Sequence, residues 1–244
     1  MSKSSNRVRE SLEPLFRKLP AVKRPEGHVH FKKKLEWTFG ILILYFALSN
    51  IPLLGMSPES IDFFAGYPYY GLFYARAGSL IWVGIEPIVI VSIVLQLLVG
   101  TKVLKLDLRN TKDQAFYQGL QKFLVFMMIA FEALLIIGAI IPDPSLANAL
   151  GVSLNTIVLI LFLQIFIGGV LVLFMDEIVF KWGIGSGVGL FIVANVSQII
   201  ITSLFNWKIE NGIPVGFIPT WIFFFSHVES LLNSGLMYIL VQGF

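Results

Sequence analysis

The 244-residue sequence has no cysteine, so neither a disulfide nor a thiolate metal site is available to it. It is also poor in charge: Asp, Glu, Lys and Arg make up 14% of the chain, against about 25% in an average soluble domain. So few charges cannot cover the surface of a water-soluble protein of this length. Histidine is scarce as well. His28 and His30 stand in a basic segment and read as a solvated pair rather than a metal site. The first 36 residues hold no apolar core between their charges, so they do not read as a cleavable signal peptide. No nucleotide loop is present. Gly183-x-Gly185-x-Gly187-x-Gly189 matches neither G-x-x-x-x-G-K-[ST] nor G-x-G-x-x-G and follows an apolar helix rather than a strand. Its simpler reading is a tight interhelical turn with positive φ angles.

What the sequence has instead is apolar length. Hydrophobic residues make up 56% of it, 22 of them Phe, and mean hydropathy is +0.81. A helix needs about 20 mostly apolar residues to cross a hydrocarbon core about 30 Å thick. Five runs qualify, at about Trp37–Leu54, Ser79–Gly100, Leu120–Ile141, Leu154–Met175 and Val188–Phe205. Ahead of them, Leu12, Leu15, Phe16 and Leu19 follow i, i+3, i+4, i+7 spacing and predict a short amphipathic helix in the membrane interface. The stretch Ile61–Tyr74 is apolar but interrupted by Gly66, Pro68 and Gly71, too broken for a span. Residues 206–244 are broken by Gly212, Pro214, Gly216 and Pro219, with a short apolar run at Trp221–Phe225.

Basic residues set the orientation. Residues 1–36 carry ten of the 18 Lys and Arg, and the 101–113 loop carries four. The 55–78 loop has Arg76 alone and the 142–153 loop has none. The positive-inside rule then places the N-terminus, the 101–113 loop and the 176–187 turn in the cytoplasm, with the chain after Phe205 outside.

The second span is unusual. Gly84-Ile85-Glu86-Pro87 puts a helix breaker and a carboxylate within it, which predicts a kink at Pro87. A carboxylate at membrane depth costs at least about 2.5 kcal/mol unless it faces water or a partner. Glu132 in the third span repeats the demand, and Gln96 adds a polar group. The bundle is therefore wet or polar somewhere between spans two and three. A conduit, a transporter and a buried polar cluster all satisfy that. A secondary-transporter half-repeat using Glu86 and Glu132 is one rival, and a membrane-embedded enzyme with paired carboxylates is another.

Several stretches resemble one family. Gly84-Ile85-x-Pro87-Ile88-Val89 with Gln96-Leu97-Leu98-Val99-Gly100 is similar to the second span of the SecY (Sec translocon alpha) family, with archaeal members the nearer match. Asp176-Glu177-Ile178 followed by Gly183-Ile184-Gly185-Ser186-Gly187-x-Gly189-Leu190-Phe191-Ile192 resembles its passage from the fourth span into the fifth. Gln114-Ala115-Phe116-x-Gln118-Gly119-x-Gln121-Lys122 resembles the cytoplasmic entry to its third span. The resemblance covers about residues 10 to 205.

It implies an all-α integral membrane fold: an N-terminal interfacial helix within residues 1–36, five transmembrane helices over 37–205, and a re-entrant plug at about 61–75. That is one half of a ten-helix SecY-type channel, with 206–244 an external loop leading to a sixth span that this sequence lacks. The implied function is the central pore subunit of a translocation channel in the cell membrane. It would pass unfolded secretory chains and release membrane segments sideways into lipid, with no enzymatic step and no cofactor. By motif position, Ile85, Val89, Val188 and Ile192 resemble four members of the family's apolar pore ring. Ile61, Gly66, Tyr70, Gly71, Phe73 and Ala75 fall in the plug, and Glu86, Ile90, Gln96 and Glu132 fall at the lateral gate. Two positions depart from the family: Ile90 stands where archaeal relatives are often polar, and Glu86 stands where a small residue is usual. The implied partners are the small subunits SecE and Sec beta, the ribosome and signal-recognition machinery at the cytoplasmic loops, signal peptides and nascent chains, and membrane lipid. No direct sequence-specific contact with nucleic acid is implied.

Overall fold

A computed structural model describes residues 19–65, 77–104, 106–210 and 213–226. The expected interfacial helix, most of the expected plug and the last 18 residues lie outside the described residues. The described elements are helical apart from one two-residue antiparallel pair. They are α1 (Phe31–Ser49), α2 (Pro58–Ala65), α3 (Glu86–Gly100), α4 (Thr111–Ala139), α5 (Pro144–Leu150), α6 (Leu154–Trp182), α7 (Gly187–Phe205), the strands β1 (Ile209–Glu210) and β2 (Ile213–Pro214), and α8 (Phe217–Ser226).

The five expected spans correspond in order to α1, α3, α4, α6 and α7. Three of them, α4, α6 and α7, are long and apolar enough to cross a membrane. Their apolar side chains face outward as well as inward: Phe131, Leu134, Leu163 and Val193 are all exposed. That is the pattern of a helix whose outer surface meets hydrocarbon rather than water.

The second span differs from its expectation. Residues 81–85 form turns, and the helix starts only at Glu86. Pro87 therefore stands in the first turn, where its missing N–H breaks no helical hydrogen bond, and it kinks nothing. Gly84, at φ 60°, supplies the left-handed backbone that turns the chain into α3.

Two compact units are present, residues 1–192 and 193–244. In the first, α1 and α4 pack on α6, and α3 packs on α4. One apolar cluster centres on Tyr45, Ile85, Leu95, Ile129, Val172 and Phe191, with the Tyr45 and Phe191 rings stacked at 4.5 Å. A second gathers Leu53, Trp82, Ala133, Ile157, Leu161 and Ile165. Close approach to α6 depends on Gly168. A Cβ there would lie 1.8 Å from the carbonyl oxygen of Leu80, so the turn before α3 rests directly on the α6 backbone.

In the second unit, β1 and β2 pair antiparallel, Ile209 opposite Pro214. Thr220 on α8 bonds back to the Gly216 carbonyl at 2.7 Å, and Trp221 lies between Phe217 and Phe225.

Candidate functional site: an apolar cluster beside a polar cavity

The four ring candidates all belong to one large apolar cluster. Ile85 is the residue just before α3, and its carbonyl accepts the Val89 N–H at 3.1 Å. The two side chains are thus one turn apart. Val188 and Ile192 are one turn apart on α7. The cluster is the one around Tyr45 and Phe191. Ile85 has no exposed surface, whereas Val89, Val188 and Ile192 are half-buried.

Asp176 positions this part of α7. Its Oδ1 accepts the Val188 N–H at 2.9 Å, so a side chain near the end of α6 satisfies one of the first-turn donors of α7. A negative charge is favoured at that helix end. The approach leaves no room for a side chain at Gly187, where a Cβ would lie 2.6 Å from both the Asp176 Cα and Oδ1. Among the four glycines of this turn, positive φ is found at Gly185 alone. The expected positive φ is met at Gly185, while Gly187 is required by close contact, not by backbone angle.

Next to Asp176, Glu177 stands between two lysines, 2.6 Å from Lys122 of α4 and 2.6 Å from Lys181 one turn on. Lys181 also donates to the Val22 carbonyl, and Trp182 Nε1 donates to the Lys23 carbonyl at 2.9 Å. The basic segment before α1 is so tied to the end of α6. Thr38 of α1 accepts the Ile184 N–H at 3.0 Å. Sequence reasoning carried Asp176, Glu177 and Lys122 only inside quoted motifs and missed this ion cluster. A lone Asp-Glu pair closing a long apolar run was the available signal.

Between α3, α4 and α6 lies a cavity of about 530 Å3. Val188 lines it, as do Gln96, Gln114, Gln118, Gln121 and Lys122. Gln121 donates to Ser92 Oγ at 2.8 Å, and Ser92 donates to the Ile88 carbonyl.

Of the gate candidates, Gln96 is exposed at the cavity and Ile90 is half-buried. Glu132 is buried, and neither of its carboxyl oxygens has a hydrogen-bond partner among the described residues. Glu86 Oε2 is likewise buried without one. Glu86 opens α3 and Glu132 lies on α4, and these two helices pack together. The structure thus brings the two acids together in the seam between α3 and α4.

Of the plug candidates, Ile61 lies on α2, while Gly66, Tyr70, Gly71, Phe73 and Ala75 lie outside the described residues. His28 and His30 are both exposed, with ring centres 6.1 Å apart.

Comparison with known proteins gives concordant findings. The SecY family model matches residues 79–243, and the model for the plug domain of Sec61p matches residues 43–67. The second match runs from within α1 through α2, so it overlaps the expected plug only at its start. The protein translocase subunit SecY of Archaeoglobus fulgidus is 52% identical over 97% of this chain and 49% of its own length. That of Haloferax volcanii is 47% identical over 88% of this chain and 44% of its own. Among solved structures, Sec61 in a canine ribosome–channel complex from the endoplasmic reticulum is 32% identical, with a TM-score of 0.68 over 92% of this chain and 47% of that one. A SecY protein whose plug domain stabilises the closed state of the translocation channel is 34% identical with a TM-score of 0.68, over 93% and 47%. The chain spans about half the length of the curated relatives it matches.

Proposed function

The chain belongs to the SecY family, and from that premise we propose that it supplies the N-terminal half of the central pore subunit of a protein-conducting channel. The observation that carries this is the serial match of a plug-domain model and a SecY model along one chain. In this reading an unfolded secretory chain passes between the two halves of the full-length protein, and apolar segments leave sideways into lipid. Ile85, Val89, Val188 and Ile192 form half of an apolar neck. An apolar ring offers an ion no ligands, so it raises a dehydration barrier, and it has no fixed charge to trap a sliding polypeptide. The gathering of the four side chains in one cluster supports the assignment. Residues 61–75 act as the plug. The seam between α3 and α4, with Glu86, Ile90, Gln96 and Glu132, forms one side of the lateral gate.

The subunit sits in the cell membrane with its N-terminus in the cytoplasm. There the 101–113 loop and the α6–α7 turn face the ribosome and signal-recognition machinery. SecE and Sec beta are the expected small partners. The channel makes no bonds of its own, so the driving energy comes from the ribosome or a motor.

The test is passage of an unfolded secretory chain into proteoliposomes holding the full-length protein, with ion leak measured in parallel. Translocation with a tight seal is expected in the wild type, and Ile192→Ala is expected to leak ions while remaining folded. Solute uptake driven by Glu86 and Glu132 with no polypeptide passage would replace the channel by a transporter.

A further inference from the structure

The motif Gln114-x-x-x-Gln118-x-x-Gln121 has no part in the neck, the plug or the gate, yet the structure gathers it. These positions lie at i, i+4 and i+7 on one face of α4. They line one cavity of about 530 Å3 with Gln96, which comes from α3. Gln121 is held by Ser92. The side-chain amides of Gln96, Gln114 and Gln118 make no hydrogen bond among the described residues, and all three residues are exposed.

A primary amide carries two donors and an acceptor oxygen, the same chemistry that a peptide backbone presents. From Gln114 to Gln118, the two free amides on α4, the helix rises about 6 Å. That is close to the span of about two residues of extended chain at roughly 3.3 Å each. Amides at this spacing can answer the N–H and C=O groups of an extended backbone whatever its side chains are.

The charges in the wall are otherwise engaged. Glu177 is shared by Lys122 and Lys181, and Asp176 accepts from Val188. Both carboxylates of the wall, Asp176 and Glu177, already accept from groups of the protein itself. Arg24, which also lines the cavity, has no carboxylate partner among the described residues, so acidic side chains are tolerated too. Val188 lines the same cavity and belongs to the proposed neck.

We propose that this cavity is a subsite for the extended backbone of the polypeptide in passage, read by Gln96, Gln114 and Gln118. The proposal rests on the channel reading and names where, and through which groups, the chain is held before the neck.

The test uses full-length protein in proteoliposomes with a translocation intermediate stalled by a folded domain at its trailing end. Gln114→Leu/Gln118→Leu is expected to let the stalled chain slide back about 3- to 10-fold faster per lost amide pair, by the same factor for acidic, basic and neutral chains. A Gln118→Cys variant should form disulfides with cysteines at successive positions of the stalled chain, whatever their flanking side chains. This second readout holds even if the double variant folds poorly. Wild-type back-sliding in a folded double variant, or an effect confined to one side-chain class, would overturn the subsite while leaving the channel intact. Failure of wild-type protein to translocate at all would instead remove the channel reading.

Discussion

Along α6, the stretch that holds Gly168 and Gly169 is packed by shape, and the end that holds Asp176, Glu177 and Lys181 is packed by charge. At Gly168 the Leu80 carbonyl occupies the space of a side chain, and at Gly169 an added Cβ would lie 2.6 Å from Ile129 Cγ2. At the other end the contacts are two ion pairs, a helix cap and two bonds to the backbone of the basic segment. The length of α6 makes the division necessary. Its 29 residues give about 43 Å, more than a hydrocarbon core of about 30 Å, so one end emerges where charges are affordable. In hydrocarbon there is little hydrophobic drive between helices, and small residues that admit close backbone approach take its place.

The largest expected effect tests the shape side. Gly168→Ala forces backbone against backbone and should cost about 3 kcal/mol or more, at the upper end of overpacking. The measurement is thermal unfolding of the full-length protein in detergent, with Gly138→Ala as control because open space surrounds it. Equal melting of the two variants would break the contrast.

On the charge side, Glu177→Gln leaves Lys122 and Lys181 facing each other in a half-buried site. A loss of about 1–3 kcal/mol is expected, less than for a fully buried pair. Glu177→Leu combined with Lys122→Met should recover part of it, since one of the two facing lysine charges is gone and Lys181 keeps the Val22 carbonyl. A double-mutant cycle with no coupling between Lys122 and Glu177 would mean that the pair only decorates the surface.

Asp176→Ala should cost about 1 kcal/mol, the usual loss of a helix cap. It should also raise ion leak in the full-length channel, because Val188 is held by that bond. Lost stability without added leak would separate the cap from the proposed neck.

The smallest effect lies at the far end of the bundle, at the start of α5. Asp143 accepts from the Ser145 hydroxyl and N–H, and these bonds hold its carboxyl below the usual carboxylate range. A lowered folded value stabilises above the unfolded value of about 3.9. That contribution is lost as pH falls through the folded value. Asp143→Ala should therefore slightly flatten the acid limb of the melting curve. An unchanged limb would show that the cap adds nothing.

The order of the apolar helices was legible from run length, because the period of a membrane helix needs no partner to be recognised. The start of the second was not. A continuous apolar run from Ser79 conceals the turn at Gly84, and Pro87 reads equally as a kink or a first-turn residue until the chain before it is placed. Glu86 and Glu132 were legible as costly groups. Their meeting in one seam was not, because 46 residues separate them and nothing local joins them. Gln114, Gln118 and Gln121 stood in the sequence only inside a quoted motif, and Gln96 joined them only through the packing of α3 on α4.

By itself the sequence determined that this protein is a bundle of apolar helices with polar groups between the second and third, and it carried the motifs by which its family is known. Those follow from composition and short-range period, which the chain states locally. The tertiary structure alone decided that Asp176 caps α7 beneath Val188, that Gly168 seats the Leu80 carbonyl, and that one cavity collects glutamines from two helices. Each of these depends on which helix faces which across hydrocarbon. That choice is made by side-chain shape and long-range pairing, which no single helix encodes.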